Sequence, residues 1–436
     1  MQPETSKRVG PTFAEALRFW LKLGFISFGG PTGQIAILHA ELVEKRRWIS
    51  EQRFLHALNF CMLLPGPEAT QLATYIGWLL HRTRGGIAAG VLFVLPSAVL
   101  LFLLSWVYVT CGSVPWISAV FYGLKPAVLG IVAAALLRLG QRALNSNSAW
   151  IVAGLAFVAL FFFKTPFPLV MAAAAAVGLA AARWKPTWFP TGGPPTTGAV
   201  LDDAMAPPDP GPAGWWRTAR VLGVCLTLWW MPLFALGAWL GWDHTVFRQG
   251  LFFSKAAMVT FGGAYAVLPY VGQQAVEQHG WLSAHEMLDG FALAETTPGP
   301  LIMVLQFVGF VGAWHHPGAL RPLAAATLGA VITTWTTFVP CFLWIFLGAP
   351  HVERLRGEAR WTKALSAVAA AVVGVILNLA VWFGRTILFP EGGRMDGFAF
   401  AIAGVAFAGL WRWRWNLVSV VIGAGAAGWL WQTLTG

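Results

Sequence analysis

Charge is scarce in this chain. Asp, Glu, Lys and Arg make up 11% of its 436 residues, against roughly 25% in an ordinary soluble domain, which excludes a water-soluble globule of this size. Cysteine is scarce too: Cys61, Cys111, Cys225 and Cys341 are scattered through apolar sequence. With no C-x-x-C and no His partner at ligand spacing, neither a disulfide framework nor a zinc site is expected. No Gly-Lys-Ser/Thr phosphate loop, metal-ligand cluster or H-E-x-x-H occurs, so the pattern speaks against a membrane enzyme, and no catalytic residue, metal or cofactor is expected. Residues Met1 to Pro11 are polar and lack a short apolar core with a small-residue cleavage site, so no removable signal peptide is expected.

Apolar sequence is abundant, at 57%. Runs such as Ile87–Val109, Trp116–Leu137, Val221–Leu240 and Ala364–Phe383 approach or exceed the roughly 20 residues that cross a bilayer core. The chain therefore reads as an all-α polytopic membrane protein. Its net charge of +11 does not point to nucleic acid, because the basic residues sit in short loops between apolar runs rather than on one face or tail.

A stretch of the chain is written twice. Phe28-Gly29-Gly30, Trp48-x-Ser50 and Pro65-Gly66-Pro67 return 233 positions later as Phe261-Gly262-Gly263, Trp281-x-Ser283 and Pro298-Gly299-Pro300. Further on, Pro96 and Gly130 match Pro340 and Gly374 at an offset of 244, so the second copy has gained residues, expected near His315-His316-Pro317-Gly318. Each copy opens with two pairs of short apolar segments, Phe13–Phe28 with Pro31–Leu42 and Glu51–Leu64 with Pro67–Leu80. At about 18–24 Å they are too short to span about 30 Å of hydrocarbon, and they read as re-entrant hairpins. Four spans follow in each copy, near 86–110, 116–137, 149–163 and 167–182, then near 320–347, 364–385, 397–411 and 415–434.

The expected organisation is a first transport repeat over 1–184, a Pro/Gly-rich cytoplasmic linker over 185–216, a connecting span over 217–242 and a second repeat over 243–436. The single unmatched span inverts the second repeat. Basic residues agree: with the N-terminus in the cytoplasm, only Lys164, Arg248, Arg321, Arg385 and Arg394 fall outside, and most of the 29 Lys and Arg fall inside. The C-terminus is then periplasmic or extracellular.

Matched Gly and Pro breaks in inverted repeats point to discontinuous helices around a transport site. Helices opening at Pro31 and Pro67, and their counterparts after Gly262-Gly263 and Pro298-Gly299-Pro300, would aim free N–H groups and positive dipole ends at the midplane, an arrangement suited to a small anion. Gly29, Gly30, Gly66, Gly262, Gly263 and Gly299 allow close backbone approach. Ser27, Thr32, Gln34, Thr70, Gln71, Thr260, Thr296 and Thr297 are candidate donors to an oxyanion; the bland alternative is that the hydroxyls bond back to their own helices. Lys22 and Lys255 are matched cations that either attract the anion or snorkel to the interface. Lys125 lies mid-span with Ala369 at its counterpart position, which suggests a one-sided role. Glu68 and Glu295 would carry a coupling proton or cap a helix start. Asp289 and His285 are explained most cheaply as a helix-start cluster beside Trp281-Leu282-Ser283.

Several of these stretches together resemble the chromate ion transporter family in its long, two-domain bacterial form. They are Phe25-Ile26-Ser27-Phe28-Gly29-Gly30-Pro31, Trp48-Ile49-Ser50, Leu64-Pro65-Gly66-Pro67-Glu68-Ala69-Thr70-Gln71, Gly123-Leu124-Lys125-Pro126, Thr260-Phe261-Gly262-Gly263 and Glu295-Thr296-Thr297-Pro298-Gly299-Pro300. The resemblance covers nearly the whole chain apart from the linker. It implies chromate export from the bacterial cytoplasm across the inner membrane, conferring chromate resistance, by halves of opposite orientation, with sulfate as a look-alike anion. A secondary carrier, self-associated as a homodimer in lipid, is the expected form. An anion channel, or a carrier for sulfate or another oxyanion, is the alternative. The second copy has Ala264 where the first has Pro31, so the halves need not bind anion equally.

Overall fold

The computed structural model describes residues 10–28, 30–62, 64–112, 114–185, 188–189, 214–261, 263–349, 359–390 and 393–435. Gly29, Gly262, the Thr32 side chain and most of the expected linker lie outside the described residues. All regular structure among the described residues is helical. Helix α1 (Phe13–Ile26) and α2 (Gly30–His39, continued by a π turn over Ala40–Lys45) form a first hairpin. Helix α3 (Glu51–Met62) and the first arm of α4 (Glu68–Cys111) form a second. α4 turns back on itself at His81 and Arg82, where φ is −136° and 56°. Its arms are then close enough that a Cβ on Gly77 would meet the Gly85 carbonyl at 2.5 Å. α5 (Pro115–Ala143), α6 (Asn147–Phe161) and α7 (Phe167–Trp184) complete the first copy, and α8 (Gly214–Leu240) follows.

The second copy repeats this order. It runs through α9 (Thr245–Val259), α10 (Ala264–Gln273, with a π turn over Gln274–Gln278), α11 (Ala284–Thr296), α12 (Val304–His315), α13 (Pro322–Gly348), α14 (Ala359–Leu388), α15 (Gly397–Trp411) and α16 (Leu417–Thr435). The extra residues of this copy are taken up where α12 passes into α13, in place of the tight turn inside α4. Among the described residues, seven helices are long and apolar enough to cross a membrane: α4, α5, α7, α8, α13, α14 and α16. α6 and α15, expected as ordinary spans, have 15 residues each and are about 22 Å long, a mismatch that a bilayer takes up by local thinning.

The repeated Trp-x-Ser motif has a local structural cause. Trp48 N–H donates to the Leu42 carbonyl and Trp281 N–H to the Ala275 carbonyl, both at 2.8 Å, closing the two π turns at equivalent places. Ser50 Oγ then accepts from Arg53 N–H at 3.3 Å, and Ser283 Oγ from Glu286 N–H at 3.2 Å. Each serine thus satisfies an orphan N–H of the following helix. At α11 the Glu286 carboxylate reciprocates to Ser283 N–H, a capping box.

The copies are related by a two-fold axis across the spans. Gly66 lies against Cys341 and Gly299 against Ser97, which are equivalent pairs in exchanged order, the signature of a self-complementary contact. The second arm of α4 and its counterpart α13 run antiparallel, since Gly86 faces Phe346 while Gly90 faces Phe342. A two-fold that makes equivalent spans antiparallel is an inverted repeat. The outer helices are exchanged as well: α6 and α7 pack on α14, and α15 and α16 pack on α5. Glycines permit these crossings, because a Cβ at Gly130 would sit 2.6 Å from the Ala403 carbonyl and one at Gly374 2.1 Å from the Ala153 carbonyl.

Candidate functional site

Four helix breaks meet at the two-fold axis. Gly66 N–H donates to the Thr260 carbonyl and Gly299 N–H donates to the Ser27 carbonyl, each at 2.7 Å. These are equivalent bonds, so the second break of each copy is stitched to the first break of the other. Gly30, Gly66, Gly263 and Gly299 have φ of 66°, 130°, 88° and 102°, the left-handed region in which a Cβ is strained. Two of the N–H groups expected to face an anion are therefore consumed in joining the halves. The α2 start of one copy and the α10 start of the other abut: Tyr265 Oη would lie 3.2 Å from a Cβ on Gly30, and the Glu68 carboxylate 3.7 Å from one on Gly263.

Four of the hydroxyl candidates follow one rule. Ser27 donates to the Leu23 carbonyl and Thr260 to the Ala256 carbonyl, both at 2.6 Å and at equivalent positions. Thr296 and Thr297 likewise donate to Leu293 and Ala294 of their own helix. Each keeps its proton within the helix, as back-bonding threonines do. Gln71 donates to the Pro65 carbonyl at 2.8 Å and Gln34 to the Gly299 carbonyl at 2.5 Å, so both amides brace the breaks. Thr70 Oγ1, Gln71 Oε1 and Ser97 Oγ are buried without a hydrogen-bond partner among the described residues, unmet capacity beside the breaks that a polar ligand or water can satisfy.

Lys22 and Lys255 are not brought to the centre. Both are exposed, on the outer faces of α1 and α9. Lys125 is brought inward, where its ammonium lies 3.3 Å from Asp289 Oδ2, to which Tyr108 also donates at 2.9 Å. The helix-start reading of Asp289 gives way here, because Glu286 fills the capping role and Asp289, only 4% exposed, faces across the halves.

A cavity of about 350 Å³ adjoins the breaks, lined by Phe28, Arg138, Tyr265, Glu295, Trp415 and Asn416 among others. Tyr265 donates to Glu295 at 2.7 Å, and Arg138 donates to the Leu410 carbonyl at 2.8 Å with much of its side chain open. Arg138 keeps further N–H donors open at the cavity, which gives it a cation to meet an anion, whereas the Tyr265 proton is committed to Glu295. Sequence patterns single out neither Tyr265 nor Arg138. An arginine near a span end reads as an interface residue, and Tyr265 replaces Thr32 of the first copy with no local signal.

The profile of the family described as "Chromate transporter" matches residues 14–179 and 247–429. The chain belongs to the chromate transporter family. The two matched regions are the two copies, and they leave out α8 with the stretch before it. Members of this family are transporters rather than enzymes, and the chain is a multi-span membrane protein of that kind. A chromate transport protein of Pseudomonas aeruginosa is 31% identical over 98% of this chain and 94% of its own length. One from Cupriavidus metallidurans is 29% identical over 86% of this chain and 84% of its own length. An uncharacterised transporter of Bacillus subtilis, YwrB, is 32% identical over 32% of this chain but 71% of its own length. A unit of this family thus also occurs in a much shorter chain. No solved structure matches.

Proposed function

We propose that this chain is a secondary carrier that moves chromate, a divalent tetrahedral oxyanion, out of the cytoplasm and so confers chromate resistance. The observation that carries the reading is the meeting of four positive-φ glycine breaks beside a cavity with Arg138 at its rim and Tyr265 at its base. The naming of the long relatives as chromate transport proteins supports the substrate. With the N-terminus in the cytoplasm, Arg138 and the Trp411–Leu417 turn lie on the cytoplasmic side, so the cavity is the entry vestibule. The anion passes from there to the helix starts of α2 and α10 and to the unpaired Thr70 and Ser97 hydroxyls.

Export needs no pump. Expelling a dianion from an inside-negative cell gains about 4.6 kcal/mol at 100 mV, at about 2.3 kcal/mol per charge. Glu295 faces the same cavity and its charge opposes the anion, which makes the Tyr265–Glu295 pair the place where a co-transported or exchanged proton would act.

Counterflow of labelled chromate in proteoliposomes at clamped voltage tests the reading. Saturable uptake that unlabelled sulfate competes for is expected. Arg138→Gln should raise the half-saturating chromate concentration on the cytoplasmic face about tenfold, the weight of one charge-assisted contact of about 1.4 kcal/mol, with little change in maximal rate. Ohmic single-channel currents would replace the carrier with a channel, and sulfate transport without chromate transport would reassign the substrate.

A further inference from the structure

Of the three cations on α5, Arg138 lies at the vestibule and Lys125 thirteen residues earlier, about 20 Å away along the helix axis. α11 carries, beyond its capping Glu286, Asp289 and Glu295 in the same order. Glu295 lines the vestibule with Arg138, and Asp289 pairs with Lys125. The helices therefore run in the same direction, with Lys125 paired to Asp289; Glu295 is only about 9 Å from Asp289 along α11, so it and Arg138 line the vestibule without forming a second such pair. The vestibule is the first level, and the second lies on the opposite side of the breaks.

The second level has the geometry of an oxyanion cradle that is already filled. Lys125 Nζ at 3.3 Å and Tyr108 Oη at 2.9 Å converge on one oxygen, Asp289 Oδ2. Two donors aimed at a single oxygen are what a tetrahedral oxyanion requires. Asp289 Oδ1 is buried with no hydrogen-bond partner among the described residues. A buried carboxylate satisfied at only one oxygen is held less firmly than a fully bonded one, so an arriving dianion competes with it for the two donors. Rings flank the level: Tyr108 meets Phe121 of α5 at 5.3 Å and Phe307 of α12 at 5.2 Å, both edge-on, while the Lys125 side chain stays 23% exposed. The level has no two-fold counterpart, because Ala369 of the second copy and His56 of the first stand at the positions matching Lys125 and Asp289.

We propose that Lys125 and Tyr108 form a second, exit-side subsite for the transported oxyanion, which Asp289 occupies as an internal surrogate anion until the substrate displaces it. This rests on the oxyanion-transport reading. Displacement frees α11 from α5 and α4, so arrival of the anion itself unlatches the exit. Asp289 acts through Lys125 and is a positioning residue, whereas Lys125 touches the anion.

Proteoliposomes carrying parent and variant protein, loaded with chromate or sulfate, test this. Asp289→Asn removes the competitor and should lower the half-saturating anion concentration on the exit face about tenfold while transport persists. Lys125→Gln should cut maximal rate at least about tenfold with the vestibule-face half-saturation unchanged, and Lys125→Arg should restore part of it. The exchange K125D/D289K rebuilds the ion pair without a cation on α5, and it should unfold at the parent's temperature yet not transport. If that exchange does not fold, the neutral pair K125Q/D289N takes its place, and it too should be inactive. A purely structural ion pair predicts the reverse: Asp289→Asn inactive, and the exchange or the neutral pair active. That result overturns the subsite. A parent that moves neither chromate nor sulfate removes the functional reading and the subsite with it, while an active parent with the reversed variant pattern removes the subsite alone.

Discussion

Gly66 and Gly299 hold the same place in the two copies, yet alanine should cost differently at each. Both have positive φ, where a Cβ costs about 1–2 kcal/mol. At 299 the new methyl would fall 2.4 Å from Ser97 Cβ, part of the α4 rod that cannot swing aside. At 66 it would meet Gln71 Nε2 at 2.8 Å and Cys341 Sγ at 2.9 Å, the outer atoms of their side chains. Overpacking adds about 1–3 kcal/mol only where the neighbour cannot move. Gly299→Ala is therefore expected to lose about 2–5 kcal/mol and Gly66→Ala nearer 1–2, read by thermal unfolding in detergent. Ser97→Gly removes the obstructing atom, so the double variant G299A/S97G should be more stable than the sum of its single losses. Equal losses at 66 and 299 would contradict the packing on which the stitched breaks rest.

Among elements, the hairpins and their caps are the part most legible in the sequence. Gly marks the breaks because it tolerates positive φ, Pro because its fixed φ and missing N–H suit a helix start, and Trp-x-Ser marks the following helix starts because a hydroxyl is needed there. Ser50→Ala and Ser283→Ala should each cost about 1 kcal/mol. Their costs should add within about 0.5 kcal/mol, since the caps sit on different hairpins with no shared partner; strong coupling between them in unfolding measurements would show that the two copies do not bear these caps independently. The pairings between elements were not legible. Asp289 meets Lys125 and Tyr108, Glu295 meets Tyr265, and Arg138 reaches the Leu410 carbonyl. All but Tyr265–Glu295 join one copy to the other, and none leaves a periodic trace, because two-fold packing brings together positions that the chain order separates. Lys22 and Lys255 show the converse: matched spacing identified them, but matching alone does not turn a side chain inward.

For the whole molecule, the exchange of outer helices decides what half a chain can do. α14 of the second copy is the partner of α6 and α7 of the first, and α5 of the first is the partner of α15 and α16 of the second. Either copy alone would leave that face uncovered, would lose the bonds from Gly66 to Thr260 and from Gly299 to Ser27, and would divide the Lys125–Asp289 level between two molecules. Apolar surface alone would not forbid this, because lipid can cover it, but crossings that place Gly130 and Gly374 against backbone exist for one partner. Chains divided between residues 190 and 213 test the consequence. Each half expressed alone is expected to give no chromate counterflow and to be degraded, whereas the two expressed together should assemble and recover transport, because the division cuts none of the helices that form the site. Transport by either half alone would mean that one copy holds a complete path, and the central meeting of inverted breaks would then not be the site of passage.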